Sequence, residues 1–232
     1  MTDWIAALQT EGYAFVPASV MRQSLQAEGL SDWDTFARSW DDLGLDTYMA
    51  DGGRYRKRRY AVFRAEADGI TRKPDQPHYQ SRDYNRLNGG IERWFAPVLP
   101  HVADSAACRA ILRFCHSLFN RITPLPAWHI EVHQFRIEAS PGQAGQPTPE
   151  GMHQDGVDWV LVLMIGRHNI VSGVTSIHAL DRRLIGSFTL EQPMDAALVN
   201  DHRVFHGVTP VQPLDPAQPA YRDVLVVTFR RE

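Results

Sequence analysis

Cysteine is scarce in this chain: Cys108 and Cys115 are the two in 232 residues. They fall seven apart in a helical pattern, two turns or roughly 10 Å along one face, too far for a disulfide to close. Reduced core thiols are therefore expected, and with them a reducing, cytoplasmic compartment. Long hydrophobic runs are missing too. The longest, Trp159 to Ile165, falls well short of the roughly 18 apolar residues of a membrane helix. The opening Met1-Thr2-Asp3-Trp4 carries no basic stretch ahead of an apolar run, so no secretion leader is expected. Neither sign of charge dominates, with 24 Lys and Arg against 27 Asp and Glu, a net charge of −3 and a pI near 6.4. That balance gives no overall attraction to nucleic acid or to an anionic membrane. The 16 glycines and 15 prolines are spread along the chain rather than gathered in one tract, which argues against disorder and collagen-like repeats. What remains is an ordinary globular composition, 44% hydrophobic, and a length that suits one domain with a substantial core.

Residues 1–125 read as mostly helical support and a substrate loop, and 126–232 as the β-rich core of the same single domain. Apolar spacing places helices over Asp3 to Gly12, after Ser19, after Ser31, and over Asp104 to Ile122, where Ala107, Ile111, Phe114, Leu118 and Ile122 share a face. Arg54 to Glu66 reads as a strand, and residues 67–90 as a loop long enough to be functional. Beyond Pro124 nearly every segment is strand-like: Trp128 to Glu138, Asp158 to Ile165, Gly173 to Ala179, Leu184 to Leu190, Ala196 to Val199, Val204 to Val211 and Tyr221 to Phe229. So many short strands separated by turns imply a sandwich or barrel.

Within the β-rich half, Met152-His153-Gln154-Asp155-Gly156 sets an imidazole and a carboxylate two positions apart, on one face of an extended chain. A divalent metal accepts both. His206, in Val204-Phe205-His206-Gly207, completes a set of two imidazoles and one carboxylate that leaves coordination positions open, an arrangement suited to Fe(II). His202, four residues earlier, competes for that third place. Arg222 opens the last apolar strand, where a guanidinium can bind a carboxylate with two parallel bonds; Arg230 and Arg231 lie past the strand and read as solvated.

These segments, Gln146 to Gly156, His202 to Val211 and Arg222 to Phe229, resemble the Fe(II)/2-oxoglutarate-dependent dioxygenases. More narrowly, they resemble the bacterial family of L-isoleucine hydroxylases and other free L-amino acid hydroxylases. The resemblance implies a mainly β double-stranded β-helix, a cupin-like jelly roll with flanking N-terminal helices. It implies hydroxylation of an unactivated C–H bond of a small free L-amino acid, with Fe(II), 2-oxoglutarate and O₂ as cofactor and cosubstrates and with succinate and CO₂ released. His153, Asp155 and His206 match its iron ligands, and Arg222 matches the residue that anchors the distal carboxylate of 2-oxoglutarate. A cupin-like metalloenzyme, or a small-ligand-binding jelly roll that does not use 2-oxoglutarate, would fit the same residues.

Several further positions are candidates for the cavity. Alternation along Trp128 to Glu138 puts Gln134 and Arg136 on one polar face and His133, Phe135 and Ile137 on the other; a polar face either lines a cavity or meets solvent. Thr148 precedes the His153 segment closely enough to bond the cosubstrate. Asp158 and Trp159 follow it on opposite faces, so only one of them can look inward; an inward Asp158 would pair with a substrate ammonium, and otherwise it is a surface residue. The run Arg54-Tyr55-Arg56-Lys57-Arg58-Arg59-Tyr60 reads either as a solvated edge strand or as a source of one arginine, such as Arg58, for a substrate carboxylate. His129 and His133 share a strand face with Glu131, and His78 sits in the long loop beside Tyr79. The expected partner is a small molecule, with neither nucleic acid nor membrane, and the chain acts as a monomer or homodimer.

Overall fold

Alternating burial along the long strands divides this molecule into a helix-covered side and a cavity side. The computed structural model describes residues 2–85 and 87–232. In chain order its elements are α1 (Thr2–Thr10), β1 (Tyr13–Val16), α2 (Ala18–Ala27), α3 (Trp33–Arg38), a 3-10 turn (Ser39–Asp42), β2 (Gly44–Leu45), β3 (Arg56–Glu66), β4 (Gly69–Arg72), α4 (Pro100–Ala103) and α5 (Ala106–Ile122). The second half holds β5 (Ala127–Ala139), β6 (Trp159–His168), β7 (Ile170–Ser172), β8 (Val174–Ala179), β9 (Leu184–Thr189), β10 (Ala196–Asn200), β11 (Val204–Val208), β12 (Val211–Pro213) and β13 (Ala220–Arg231). Among the described residues, no helix is long and apolar enough to cross a membrane.

The major sheet runs β1-β10-β6-β13-β5-β3-β2, with β4 hairpinned onto β3, and a minor sheet β11-β8-β9 faces it. Every strand pairing is antiparallel, and the whole is the jelly roll expected from the sequence. One boundary needs correction. The first 125 residues are not merely support: β3 pairs with β5 along its whole length from Arg56 to Glu66, and β1 closes the other side of the sheet on β10. No line at 125/126 divides the molecule, because its main sheet draws strands from both parts.

Helix α5 forms because its apolar stripe finds a partner. Ala107, Ile111, Phe114 and Leu118 are buried against the sheet with Trp128, Ile130, Leu161, Val227 and Phe229. Its N-terminus is held from two sides: Ser105 accepts from the Cys108 N–H at 3.1 Å, and the Asp32 carboxylate accepts from Ala106 and Ala107 at 3.0 and 2.7 Å. Those bonds satisfy donors that a helix end leaves open. Both cysteines lie reduced on this buried helix, and burial pushes the Cys108 thiol up to about 12.

With Trp128, Ile130 and Val132 of β5 turned towards the helices, Glu131, His133, Phe135 and Ile137 must face the opposite side. The same alternation in β13 sends Leu225, Val227 and Phe229 to the helices and Arg222, Val224, Val226 and Thr228 to the cavity. Trp40 closes the seam where β13 carries a bulge at Asp223/Val224, its indole N–H reaching the carbonyls of Phe135 and Val224 at 3.1 and 3.3 Å.

Candidate active site

A cleft of about 950 Å³, its mouth included, opens between the two sheets. His153 and His206 meet there through a two-residue antiparallel bridge in which each N–H donates to the other's carbonyl at 2.9 Å. The bridge sets their rings 4.6 Å apart. Asp155 lies two residues on, so its carboxylate swings between the rings, 3.4 Å from His153 Nε2 and 3.3 Å from His206 Nε2. The three side chains offer ligand atoms close enough together to hold one metal ion.

The loop after His153 is shaped by a residue that sequence reasoning passed over. Asp201 is 1% exposed, and its carboxylate accepts the N–H groups of Asp155, Gly156 and Val157 at 2.9, 2.7 and 3.1 Å. Gln154 Nε2 donates to its carbonyl. Three consecutive backbone donors gathered by one carboxylate impose a tight turn, and Gly156 supplies the φ of +81° that it needs. The ring of Tyr84 packs where a Gly156 side chain would sit. The signal was an Asn200-Asp201 pair near the candidate histidines, which reads as an ordinary turn until the tertiary contact is seen.

Asp155 and the neighbouring Asp201 give the site a negative charge that a cation would neutralise. Against the cost of burial, Asp155 and Asp201 push His206 up to about 10, while His153 is also raised and Asp155 is held well below the usual carboxylate range by the two rings. His153 Nδ1 faces the Gly151 carbonyl at 3.0 Å, which places its ring proton there and leaves Nε2 free to coordinate. His206 Nε2 is buried with no hydrogen-bond partner. An orphaned imidazole nitrogen beside a carboxylate is what a Lewis-acidic ion would satisfy.

A second group, His78, Glu131 and His133, also clusters closely enough for a metal, but both His133 nitrogens and His78 Nδ1 are already engaged. Arg58 Nη2 lies 2.6 Å from His133 Nδ1. A guanidinium only donates, so Nδ1 accepts, the ring proton sits on Nε2, and it points to Glu131 Oε2 at 3.5 Å. His78 Nδ1 and the Tyr60 hydroxyl complete the cage around Glu131 at 3.0 and 2.8 Å. Burial and the nearby cations bring His133 down to about 3 and lower His78 as well. Glu131, despite its own burial, is held well below the ordinary range by the surrounding rings. The cluster is a closed hydrogen-bonded pillar beneath Arg58.

Arg222 lies in the cleft, 2% exposed, with Nε and Nη2 both buried and unpartnered. Burial and the nearby Arg167 bring it down to about 10. Thr148 lines the cleft too, but its hydroxyl already donates to the Val208 carbonyl and accepts the Val208 N–H, at 3.1 and 3.0 Å. Its work is to tie the loop to β11 beside His206.

Four expected residues lie elsewhere. Gln134 donates to Ser39 Oγ at 2.9 Å on the helix side, and Arg136 grips Asp223 and Asp41 there while its guanidinium covers Tyr221. Their face was misjudged because the polar residues of β5 meet the polar edge of the 3-10 turn, and the cavity takes its histidines and aromatics instead. Trp159 is buried and stacks on Phe119 at 5.4 Å. Asp158 binds Arg231, which is thereby not simply solvated, and accepts from His202 at 3.1 Å. His202, so engaged and with a largely exposed side chain, is removed from contention as a ligand. Arg58 does reach the cleft, but it lies over the rings of Phe95 and Phe135 at 3.6 and 4.5 Å.

Comparison with known proteins agrees with this geometry. A family model described as 2OG-Fe dioxygenase matches residues 37–228. The chain is 29% identical over 243 residues to the 3(1)-hydroxy-L-isoleucine 4-dioxygenase of Pantoea ananatis, covering 100% of this chain and 96% of that protein. It is also 29% identical over 156 residues to the L-isoleucine-4-hydroxylase of Bacillus thuringiensis, covering 66% of this chain and 64% of that one. Among solved structures, a bsmA homologue from Methylobium petroleophilum PM1 superposes with a TM-score of 0.91 at 35% identity, covering 99% of this chain and 92% of the other.

Proposed function

This chain belongs to the 2OG-Fe dioxygenase family, and from that premise we propose that it hydroxylates an unactivated C–H bond of a small free L-amino acid. One observation carries the reading. A single cleft contains both a two-imidazole, one-carboxylate set with an orphaned Nε2 and the open guanidinium edge of Arg222, the pair of features that Fe(II) and a dicarboxylate cosubstrate require together. The amino-acid substrate is supported by the names of the two relatives, whose substrates are isoleucine or a hydroxylated isoleucine.

His153 Nε2, Asp155 and His206 Nε2 hold the iron, and Arg222 takes the distal carboxylate of 2-oxoglutarate through Nε and Nη2. The bound iron supplies activation of O₂ and the oxidative decarboxylation of 2-oxoglutarate to succinate. The protein's own contribution is alignment and exclusion of water. Asp201 holds the Asp155 backbone in place, Thr148 fastens the loop beside His206, and Val160, Val162, Val224 and Val226 give the cleft an apolar wall. An aliphatic side chain packs against such a wall without leaving a buried polar group unpaired.

The experiment is succinate production by purified protein with Fe(II), ascorbate, O₂ and 2-oxoglutarate, across the free L-amino acids, with mass analysis of each product. Succinate that rises with one aliphatic amino acid, together with a product heavier by one oxygen, is the expected result. Turnover of 2-oxoglutarate that no amino acid stimulates would refute the substrate assignment.

A further inference from the structure

The cleft holds a second guanidinium with an open edge. Arg93 is 2% exposed, and its Nε and Nη2 are both buried without a hydrogen-bond partner. Those two nitrogens form the side-on edge of an arginine, whose parallel N–H groups match the two oxygens of one carboxylate. The protein uses this same edge on its own carboxylates. Arg136 Nε and Nη2 bond Asp223 Oδ1 and Oδ2 at 2.8 and 2.7 Å, and Arg231 presents Nε and Nη2 to Asp158. In Arg93 and Arg222 the edge is left open inside the cleft.

The two open edges serve different places. The charges that act on Arg93 are those of Arg56, Asp46, Glu150 and Glu131, whereas Arg222 feels Arg167 and Asp223. The chain around Arg93 is held by two bonds of 3.0 Å with the backbone of His78, so its fork starts from a fixed point. Among the described residues no carboxylate pairs with it: Glu150, in the same cleft, lies 3.6 Å from His153 Nε2 through Oε1 and leaves Oε2 buried without a hydrogen-bond partner. Asp46 is already shared between Arg56 at 2.8 Å and Arg58 at 3.6 Å, and Glu131 is enclosed by Tyr60 and the histidines. Arg58 itself is no clamp, because His133 and Asp46 engage its terminal nitrogens and only Nε is left unpartnered.

We propose that Arg93 is the specificity-determining clamp for the α-carboxylate of the substrate, and that Arg58, expected from the sequence to play this part, is a positioning residue that shares the Phe95 ring with it. The inference rests on the amino-acid reading above and narrows it. The substrate carries a free carboxylate, so amides, esters, peptides closed at that end and carrier-bound thioesters are rejected.

The test is calorimetric titration, under argon, of the iron-loaded protein saturated with 2-oxoglutarate. Aliphatic L-amino acids and their carboxamides are the probes, against wild type, Arg93→Gln and Arg93→Lys. Loss of two charge-assisted bonds weakens binding by about 100-fold or more, so wild type should bind the acid at least that much more tightly than the amide. Arg93→Gln should lose that preference while its affinity for 2-oxoglutarate stays within about threefold of wild type, a sign of an intact fold. Arg93→Lys, which keeps the charge without the fork, should bind the acid about tenfold more weakly than wild type and still prefer it to the amide. An Arg93→Gln protein that keeps the acid preference, or a wild type that binds both probes alike, would overturn the clamp and leave the amino-acid reading standing. A wild type that binds no amino acid would overturn both.

Discussion

Replacing Asp201 with asparagine changes one atom at the turn that carries Asp155, and the consequence can be worked from the bonds it makes. The carboxylate accepts three backbone N–H groups, one on Oδ1 from Asp155 and two on Oδ2 from Gly156 and Val157. An asparagine can keep the Oδ2 pair, but it must then turn its own NH₂ towards the Asp155 N–H. One charge-assisted bond is lost and the two that remain weaken, each such bond being worth about 1.5–3 kcal/mol. A total near 3 kcal/mol is expected, or roughly 6–12 °C in melting temperature for a domain of this size. Asp195 provides the matching control. It accepts Ala18 on Oδ1 and Glu191 and Gln192 on Oδ2, at 2.8–2.9 Å, by the same geometry but at a different turn. Asp195→Asn should therefore lose similar stability and keep its metal affinity, whereas Asp201→Asn should bind Fe(II) about 10–100-fold more weakly, as is usual when the partner that orients a ligand is lost. Thermal melts and anaerobic metal titrations of both variants decide the matter. Equal metal affinities in the two would refute the assignment of Asp201 as the residue that positions Asp155.

Arg222→Gln should raise the 2-oxoglutarate requirement by about 100-fold or more, measured as the KM for succinate formation; an unchanged KM would move the anchor elsewhere. His133 makes the pillar sensitive to acid. Its native pKa is about 3 against an ordinary value of 6.5, so the unfolded chain takes up a proton that the folded form refuses. Stability is therefore lost as pH falls from about 6.5 towards 3, at up to about 1.4 kcal/mol per pH unit. Urea unfolding between pH 5 and 6 should show this slope reduced by about that amount in His133→Gln, and equal slopes would mean that His133 titrates in the native protein.

The candidate metal site was legible because its signals are local. His153 and Asp155 stand at strand spacing, and a downstream His-Gly on another strand is enough to nominate His206. The strands after Pro124 were legible for the same reason, since each is a short alternating run bounded by turn residues. What could not be read was the sense of each face. Alternation along β5 separates Gln134 and Arg136 from His133 and Phe135 correctly, yet nothing in the spacing says which set meets the helices. That choice is made by Ser39, Asp41 and Asp223, which come from elsewhere in the chain to satisfy the polar set. Trp159 and Asp158 were misjudged likewise, one claimed by Phe119 and the other by Arg231. Arg93 and Asp201 were passed over for a different reason: each lies in a loop or turn, and its importance rests on bonds made, or left unmade, with residues far away in sequence.

The central claim is that His153, Asp155 and His206, and not the neighbouring His78, Glu131 and His133, are the iron ligands. Counting Fe(II) bound per chain under argon tests it directly, using wild type, Asp155→Ala and Glu131→Gln, each checked for its fold by circular dichroism. One iron in wild type and in Glu131→Gln, with none retained by Asp155→Ala, is the predicted result. Full occupancy in Asp155→Ala, with loss in Glu131→Gln, would contradict the account and move the metal to the other cluster.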